Sequence, residues 1–349
     1  MKMLKLKTMI VFFLLSLYIF SFLSCTKEEK ENDGKMNIAV FLPGVRAVSA
    51  IYDMLATGAE KAIKEAQNNG KKVELTILEA GTNQSQWVEK LSNLAAEDKY
   101  DLIISSNPSM PSIAKEVLLK FPNNKFLLLD AYCEDEPKIT TAKYNQYEQA
   151  YIAGYMAALV STSNMKMANS KKKIGLIAGQ EYPDMTNIIL PSFLKGAKDV
   201  DSDMEVDFRI VGNWYDAAKG ADLASSMAED GVDVIMPICG GANQGVITCA
   251  KEKGFYLIWF DSNGYGKAEG YVVGSATLEQ ERLSYEKTLA FINGELKEGK
   301  PEILGMKEGY IQFIKDDPIY ISTVPNELRE KQEIMLKKIE NGEVVISSK

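Results

Sequence analysis

The chain has 349 residues, of which 46% are hydrophobic and 25% are charged, as in a globular protein and unlike a disordered or polytopic membrane protein. Its formal net charge of -8 repels phosphate backbones, which excludes nucleic acid as an expected partner. The sequence contains no histidine, which removes histidine-based catalytic triads and the commonest transition-metal ligand. We therefore expect a protein that is not an enzyme and that holds no metal.

Residues 1–24 have the pattern of a signal peptide, since a lysine-rich start precedes an apolar run from Met9 to Leu23. That run is shorter than the roughly 20 residues that a membrane-spanning helix needs. Ser24 and Cys25 then resemble the end of a bacterial lipobox, in which the cysteine is acylated. The polar residues 25–35 predict a flexible tether. We expect an extracytoplasmic protein anchored to the cell membrane through Cys25; a secretory signal with an incidental cysteine is the alternative.

From Asn37 onward, short apolar runs alternate with amphipathic segments. Most of these runs are continuous, which is typical of parallel strands buried on both faces. The predicted strands are Ile38–Leu42, Val73–Leu78, Leu102–Ser105, Lys125–Asp130, Lys173–Ala178, Glu205–Val211, Val232–Ile238, Tyr256–Asp261, Tyr271–Ser275 and Tyr310–Ile314.

The intervening segments carry apolar residues at helical spacing, as Leu55, Ala59 and Ala66 do. The predicted helices are Tyr52–Ala66, Trp87–Ala95, Ile113–Leu119, Tyr147–Ser161, Ile188–Ala197, Ala217–Met227, Val246–Lys253, Leu278–Lys297 and Asn326–Asn341. Strands that alternate with helices predict parallel βαβ units. Because two such series occur, the fold class is α/β with two doubly wound parallel-sheet lobes.

The two series also predict how the chain is divided. We expect lobe 1 to contain residues 36–144 and about 272–304, and lobe 2 to contain about 145–271 and 305–349. The lobes would be linked near Tyr144, Gly264–Gly270 and Gly305–Gly309, and would close around a ligand by hinge motion.

The carboxyl ends of the predicted strands carry small and polar residues. In open parallel sheets this edge is where ligands bind, although the same residue types are common in turns. Neither a G-x-x-x-x-G-K-[ST] motif nor a G-x-G-x-x-G motif after the first strand is present, which disfavours a nucleotide-dependent enzyme. The residues at or beside these ends include Asn107, Asp130, Trp214, Gly241, Asn243 and Asp261.

Several segments from Met36 to the end resemble the basic membrane protein family of ABC-transporter substrate-binding lipoproteins, typified by the purine nucleoside receptor. The resemblance implies a two-lobed fold of the periplasmic-binding-protein type, a nucleoside in the cleft and an ABC permease as partner. The segments that carry it are YDLIISS from Tyr100, YEQAYIAGYMAAL from Tyr147, KIGLIAGQEYP from Lys173, GNWYD from Gly212, GVDVIMPICGGANQGV from Gly231 and WFDSN from Trp259.

The same resemblance implies roles for individual residues. Asp261 matches a ribose-binding aspartate, Gly240 and Gly241 match a glycine pair, and Trp214 falls where nucleoside binders have a stacking phenylalanine. Two features depart from the nucleoside pattern. The Phe-Asn pair of the first loop is replaced by Ile51-Tyr52, and the lysine usual after Tyr271–Ser275 is missing.

The first loop and the segment LATGAEKA instead resemble the riboflavin-binding branch of the family. Tyr52 and Trp214 would sandwich the flavin ring, and polar residues would satisfy ring edges and ribityl hydroxyls. Riboflavin as transported ligand, without any cofactor, is therefore the main hypothesis for a protein expected to be monomeric. A purine nucleoside is the alternative ligand, and a surface adhesin is the alternative class. The predicted ligand-binding residues are Tyr52, Asn107, Asp130, Gln149, Trp214, Gly241, Asn243 and Asp261.

Overall fold

The computed structural model describes residues 34–347. The predicted signal peptide 1–24, the lipid attachment site Cys25 and all but the last two residues of the tether 25–35 lie outside the described residues. Within residues 34–347, no helix combines the length and the apolar character that crossing a bilayer requires.

The strands follow the predicted order with two additions. They are β1 (Met36–Leu42), β2 (Val73–Glu79), β3 (Leu102–Ser106), β4 (Phe126–Leu129), β5 (Ile139–Tyr144), β6 (Lys173–Ala178), β7 (Glu205–Ile210), β8 (Val234–Ile238), β9 (Tyr256–Asp261), β10 (Val272–Leu278), β11 (Pro301–Leu304) and β12 (Ile311–Phe313). The helices are α1 (Ala50–Asn68), α2 (Trp87–Ala96), α3 (Met110–Lys120), α4 (Gln146–Ser161), α5 (Leu190–Lys198), α6 (Ala217–Glu229), α7 (Asn243–Lys253), α8 (Gln280–Asn293), α9 (Pro318–Thr323) and α10 (Asn326–Glu340).

The strands form two six-stranded sheets, one in each lobe. Their orders are β11-β5-β4-β3-β1-β2 and β12-β10-β9-β8-β6-β7. All pairs are parallel except β10 with β12, which is antiparallel. The prediction of two doubly wound α/β lobes is confirmed. The antiparallel edge arises because β12 reaches the sheet from the other lobe, without a crossover helix of its own.

The chain passes between the lobes at Asn145, at Glu279 and at residues 305–310. The predicted crossing at Gly264–Gly270 is wrong, and so is the assignment of 272–278 to lobe 1. The reason is that β10 pairs with β9 and extends the second sheet, whereas α8 packs on α1 in the first lobe. Each crossing begins at the carboxyl end of a strand, so the ligand-binding edges of both sheets face the gap between the lobes.

Two helix pairs fix the lobes by unusually close contact. A Cβ at Gly58 of α1 would collide with the carbonyl oxygen of Glu281 at the start of α8. A Cβ at Gly154 of α4 would likewise collide with the backbone of Phe193 in α5. These glycines let the helix backbones approach, and α4 consequently lies buried on nearly every side.

Candidate functional site

Lobe 1 presents three of the predicted residues to the gap. Tyr52 lies in the first turn of α1, and its ring packs on Gly44, where a Cβ would have no room. Asn107 follows β3 and donates a hydrogen bond from Nδ2 to the Tyr52 hydroxyl at 3.3 Å. Asp130 follows β4, close enough for its charge to act on Tyr52. The structure therefore brings Tyr52, Asn107 and Asp130 together.

Lobe 2 presents Asp261 at the end of β9. Gln149, on the buried helix α4, donates from Nε2 to Asp261 Oδ1 at 3.1 Å and to the carbonyl oxygen of Ala276 at 3.1 Å. Asp261 has a φ of 69° and Asp130 a φ of 49°, in the left-handed region that is unfavourable for non-glycine residues. Strained backbone at two strand ends is a feature of binding sites. Gln149 thus fixes the carboxyl group of Asp261, one of the two residues with strained backbone.

The charge of Asp261 acts on Asp130 across the gap. Burial, followed by the charges of Asp261 and Asp184, raises the pKa of Asp130 to about 8, and Lys143 partly opposes the rise. Burial raises the pKa of Asp261 to about 6, opposed by the hydrogen bond from Gln149. The Oδ1 atom of Asp130 is buried and has no hydrogen-bond partner among the described residues. At neutral pH, Asp130 retains its proton and can donate as well as accept a hydrogen bond.

Aromatic side chains form the lobe 2 wall. Trp214 is 38% exposed and its indole packs on Gly179, which has no room for a Cβ. The ring of Tyr182 lies 6.2 Å from that of Trp214, tilted by 44°. Burial raises the pKa of Tyr182, and the charges of Asp261 and Asp130 add to the effect, which places Tyr182 beside both carboxyl groups. Tyr182 was not among the residues predicted from the sequence, although its position shortly after the end of β6 is a strand-end signal.

Two of the predicted residues, Gly241 and Asn243, form hydrogen bonds within the loops around Trp214. The backbone N–H of Gly241 donates to the carbonyl oxygen of Trp214 at 2.8 Å. The Asn243 Oδ1 atom accepts the backbone N–H of Cys239 at 3.0 Å and lies 2.8 Å from its Sγ. In the structure both residues hold the loops around Trp214, and the Asn243 oxygen that was expected to meet a ligand is already engaged.

An ion pair that the sequence did not predict joins the lobes. Lys143, on β5, contacts Asp184 Oδ2 at 2.9 Å, and Asp184 lies between β6 and α5. The two side chains are only 19% and 15% exposed. Their contact bridges the gap next to the first crossing at Asn145.

The comparisons with known proteins agree with this geometry. Residues 35–343 match the Bmp family model, described as ABC transporter substrate-binding protein PnrA-like. The chain belongs to this family. Members of the Bmp family are extracytoplasmic substrate-binding proteins of ABC transporters and are not enzymes, as predicted.

One reported relative spans most of the chain, and another spans somewhat less than half of it. Basic membrane protein A2 of Borrelia garinii subsp. bavariensis is 26% identical over 336 residues, which cover 93% of this chain and 92% of the relative. The ABC transporter nucleoside-binding protein BmpA of Lactococcus lactis subsp. cremoris is 31% identical over 159 residues, which cover 46% and 43%. A solute-binding protein of an ABC transporter system from Aeropyrum pernix K1 superposes with a TM-score of 0.77 at 20% identity, over 90% and 94% of the two chains, which supports the fold.

Proposed function

We propose that this Bmp-family chain captures riboflavin in the gap between its lobes and delivers it to an ABC permease. The observation that carries the proposal is the arrangement of aromatic rings around two carboxyl groups. Tyr52 comes from lobe 1, whereas Tyr182 and Trp214 come from lobe 2. Rings on both lobes can enclose a broad flat ligand when the lobes close.

The charges of the gap favour an uncharged ligand. Of the described charged groups that act on Asp130, Asp261 and Asp184 are anionic. The one described cation among them, Lys143, is already paired with Asp184. A phosphate ester would meet repulsion without a free cation to offset it. The charges therefore favour riboflavin over its phosphorylated form, flavin mononucleotide.

The two carboxyl groups supply complementary recognition. Protonated Asp130 would donate a hydrogen bond to a carbonyl oxygen of the flavin ring, and its second oxygen would accept one. Asp261, held by Gln149, would accept hydrogen bonds from hydroxyl groups of the ribityl chain. Neither interaction needs a charged ligand.

A purine nucleoside is the second candidate. It is supported by the name of the Lactococcus relative and by Asp261, which would accept hydrogen bonds from ribose hydroxyls equally well. A nucleoside is also uncharged and its purine base is flat, so the geometry of the aromatic rings alone does not separate the two ligands.

A fluorescence titration tests the proposal. Riboflavin fluorescence is expected to be quenched on binding in the micromolar range or below, and excess guanosine or adenosine is expected not to displace the flavin. Flavin mononucleotide, the matched control with the same ring, should bind at least about tenfold more weakly because of the acidic gap. Displacement by guanosine would support the second candidate, and tight binding of flavin mononucleotide would contradict the charge argument.

We further propose that the mature chain is a monomer tethered to the membrane by acylated Cys25. The proposal is supported by the order of apolar run, cysteine and polar tether in the sequence. The variant Cys25→Ser is expected to move the protein from the membrane fraction to the soluble fraction. Unchanged membrane association would contradict the anchor.

A further inference from the structure

A cavity of about 540 Å³ lies between the lobes beside Asp261. Lobe 1 lines it with residues of α1 and α8, and lobe 2 lines it with the ends of β9 and β10. The volume falls in the range of about 300–1,000 Å³ that small-molecule sites occupy. Asp261 lines this cavity, whereas Tyr52, Tyr182 and Trp214 do not, so the cavity extends from Asp261 beyond the aromatic side chains.

Thr277 gives the cavity an unused hydroxyl group. It is the direct register partner of Asp261 across β10 and β9, and it is only 4% exposed. Its Oγ1 atom has no hydrogen-bond partner among the described residues. The neighbouring lining side chains are engaged, because Ser262 Oγ accepts from the Trp259 indole at 3.2 Å and Asn263 Nδ2 donates to Asp317 at 2.9 Å. A buried hydroxyl group without a hydrogen-bond partner is unfavourable unless a ligand supplies the hydrogen bond.

Carboxylates outnumber cations around the cavity, since Asp261, Glu279, Glu281 and Glu286 line it together with Lys61 and Arg282. Both described cations that line it are paired: Lys61 with Glu281, and Arg282 with Glu286 at 2.8 Å. Arg282 also donates to the carbonyl oxygen of Gly309. No cation of the described lining is left free for a phosphate or carboxylate, so the lining disfavours an anionic group, and its carboxylates can accept hydrogen bonds from hydroxyl groups.

We propose that this cavity is the subsite for the open polyhydroxyl chain of the ligand, and that Thr277 hydrogen-bonds a hydroxyl of that chain. The proposal rests on the proposed function and extends it. A flavin ring between the aromatic side chains can send an extended chain past Asp261 to Thr277. The sugar of a nucleoside is a compact ring and reaches less far. Thr277 is therefore a specificity-determining residue for ligands with an extended polyol.

The test compares two ligands with the same ring. Riboflavin carries the ribityl chain, and lumiflavin carries a methyl group in its place. The variant Thr277→Val removes the hydroxyl and keeps the β-branched shape, whereas Thr277→Ser keeps the hydroxyl. Thr277→Val is expected to weaken riboflavin binding by about 5- to 100-fold and to leave lumiflavin binding unchanged. Thr277→Ser is expected to retain riboflavin affinity close to that of the wild type.

Unchanged lumiflavin binding also shows that Thr277→Val is folded. Equal losses for both flavins, or no loss for riboflavin, would overturn the subsite. Equal affinity of the wild-type protein for riboflavin and lumiflavin would overturn it while leaving the proposed function intact. If the wild-type protein binds neither flavin, the proposed function is refuted and the subsite falls with it.

Discussion

Replacing Asp130 with asparagine is expected to stabilise the protein at neutral pH, because the folded chain holds this carboxyl group in an environment that opposes its ionisation. The pKa of Asp130 is about 8 in the folded protein, against an ordinary value of 3.8. Between these two pH values the unfolded chain releases the proton and the folded chain retains it. The stability that Asp130 contributes is therefore fully present below pH 3.8 and is lost as the pH rises to about 8.

The loss of unfolding free energy can be calculated from the pH range over which only the folded chain keeps the proton on Asp130. The range from 3.8 to pH 7, at about 1.4 kcal/mol per pH unit, corresponds to about 4 kcal/mol of lost unfolding free energy. Asparagine has the shape of the protonated carboxyl group and does not titrate. The advantage of Asp130→Asn over the wild type should therefore grow by about this amount between pH 4 and 7.

Urea denaturation at pH 4, 5.5, 7 and 8 measures this difference. The matched control is Asp222→Asn, on the exposed face of α6. The control should track the wild-type protein across the whole range. A difference between Asp130→Asn and the wild type that does not change with pH would refute the reasoning, since a constant difference cannot come from a titrating group.

Two further substitutions test the aromatic wall and the ion pair between the lobes. Trp214→Ala should weaken riboflavin binding by about 10- to 100-fold, because the stacking contact with the ring is lost. The control Tyr215→Ala, at a side chain that is 72% exposed, should bind riboflavin like the wild type. Equal losses of affinity for both variants in calorimetry would argue against stacking on Trp214. Lys143→Met leaves Asp184, whose side chain is only 15% exposed, without its ion-pair partner, which should destabilise the contact between the lobes by about 1–3 kcal/mol. Small-angle scattering should then show a larger radius of gyration, and an unchanged radius would count against the ion pair.

Much of the fold could be predicted because parallel strands buried on both faces leave continuous apolar runs. The segment at β1 is such a run, and it was predicted within two residues of its ends. The strand β5 was missed because its sequence, ITTAKY, is rich in polar residues even though most of it is buried. The strand β11 was missed because it has four residues and begins with proline.

The site residues whose positions depend only on the ends of strands could be predicted from the sequence. The contacts that depend on how the two lobes are placed relative to each other could not. Asp130 follows β4 and Asp261 ends β9, so the position of each at the ligand-binding edge of its own sheet could be inferred from the sequence. The contact of Lys143 with Asp184 depends on the angle between the lobes, which no local pattern encodes. Thr277 lies in a strand that is buried along its whole length, so its sequence context indicates a core residue. The hydroxyl group without a hydrogen-bond partner, which only the structure shows, distinguishes it from such a residue.

We propose that the gap between the lobes selects an uncharged ring that carries an extended polyol. Native mass spectrometry of the protein mixed with equal amounts of riboflavin, flavin mononucleotide and guanosine tests this claim most directly. We expect one riboflavin molecule to be bound per chain, and we expect the Asp261→Ala variant to bind none. A complex that retains guanosine or flavin mononucleotide in preference to riboflavin would contradict the account.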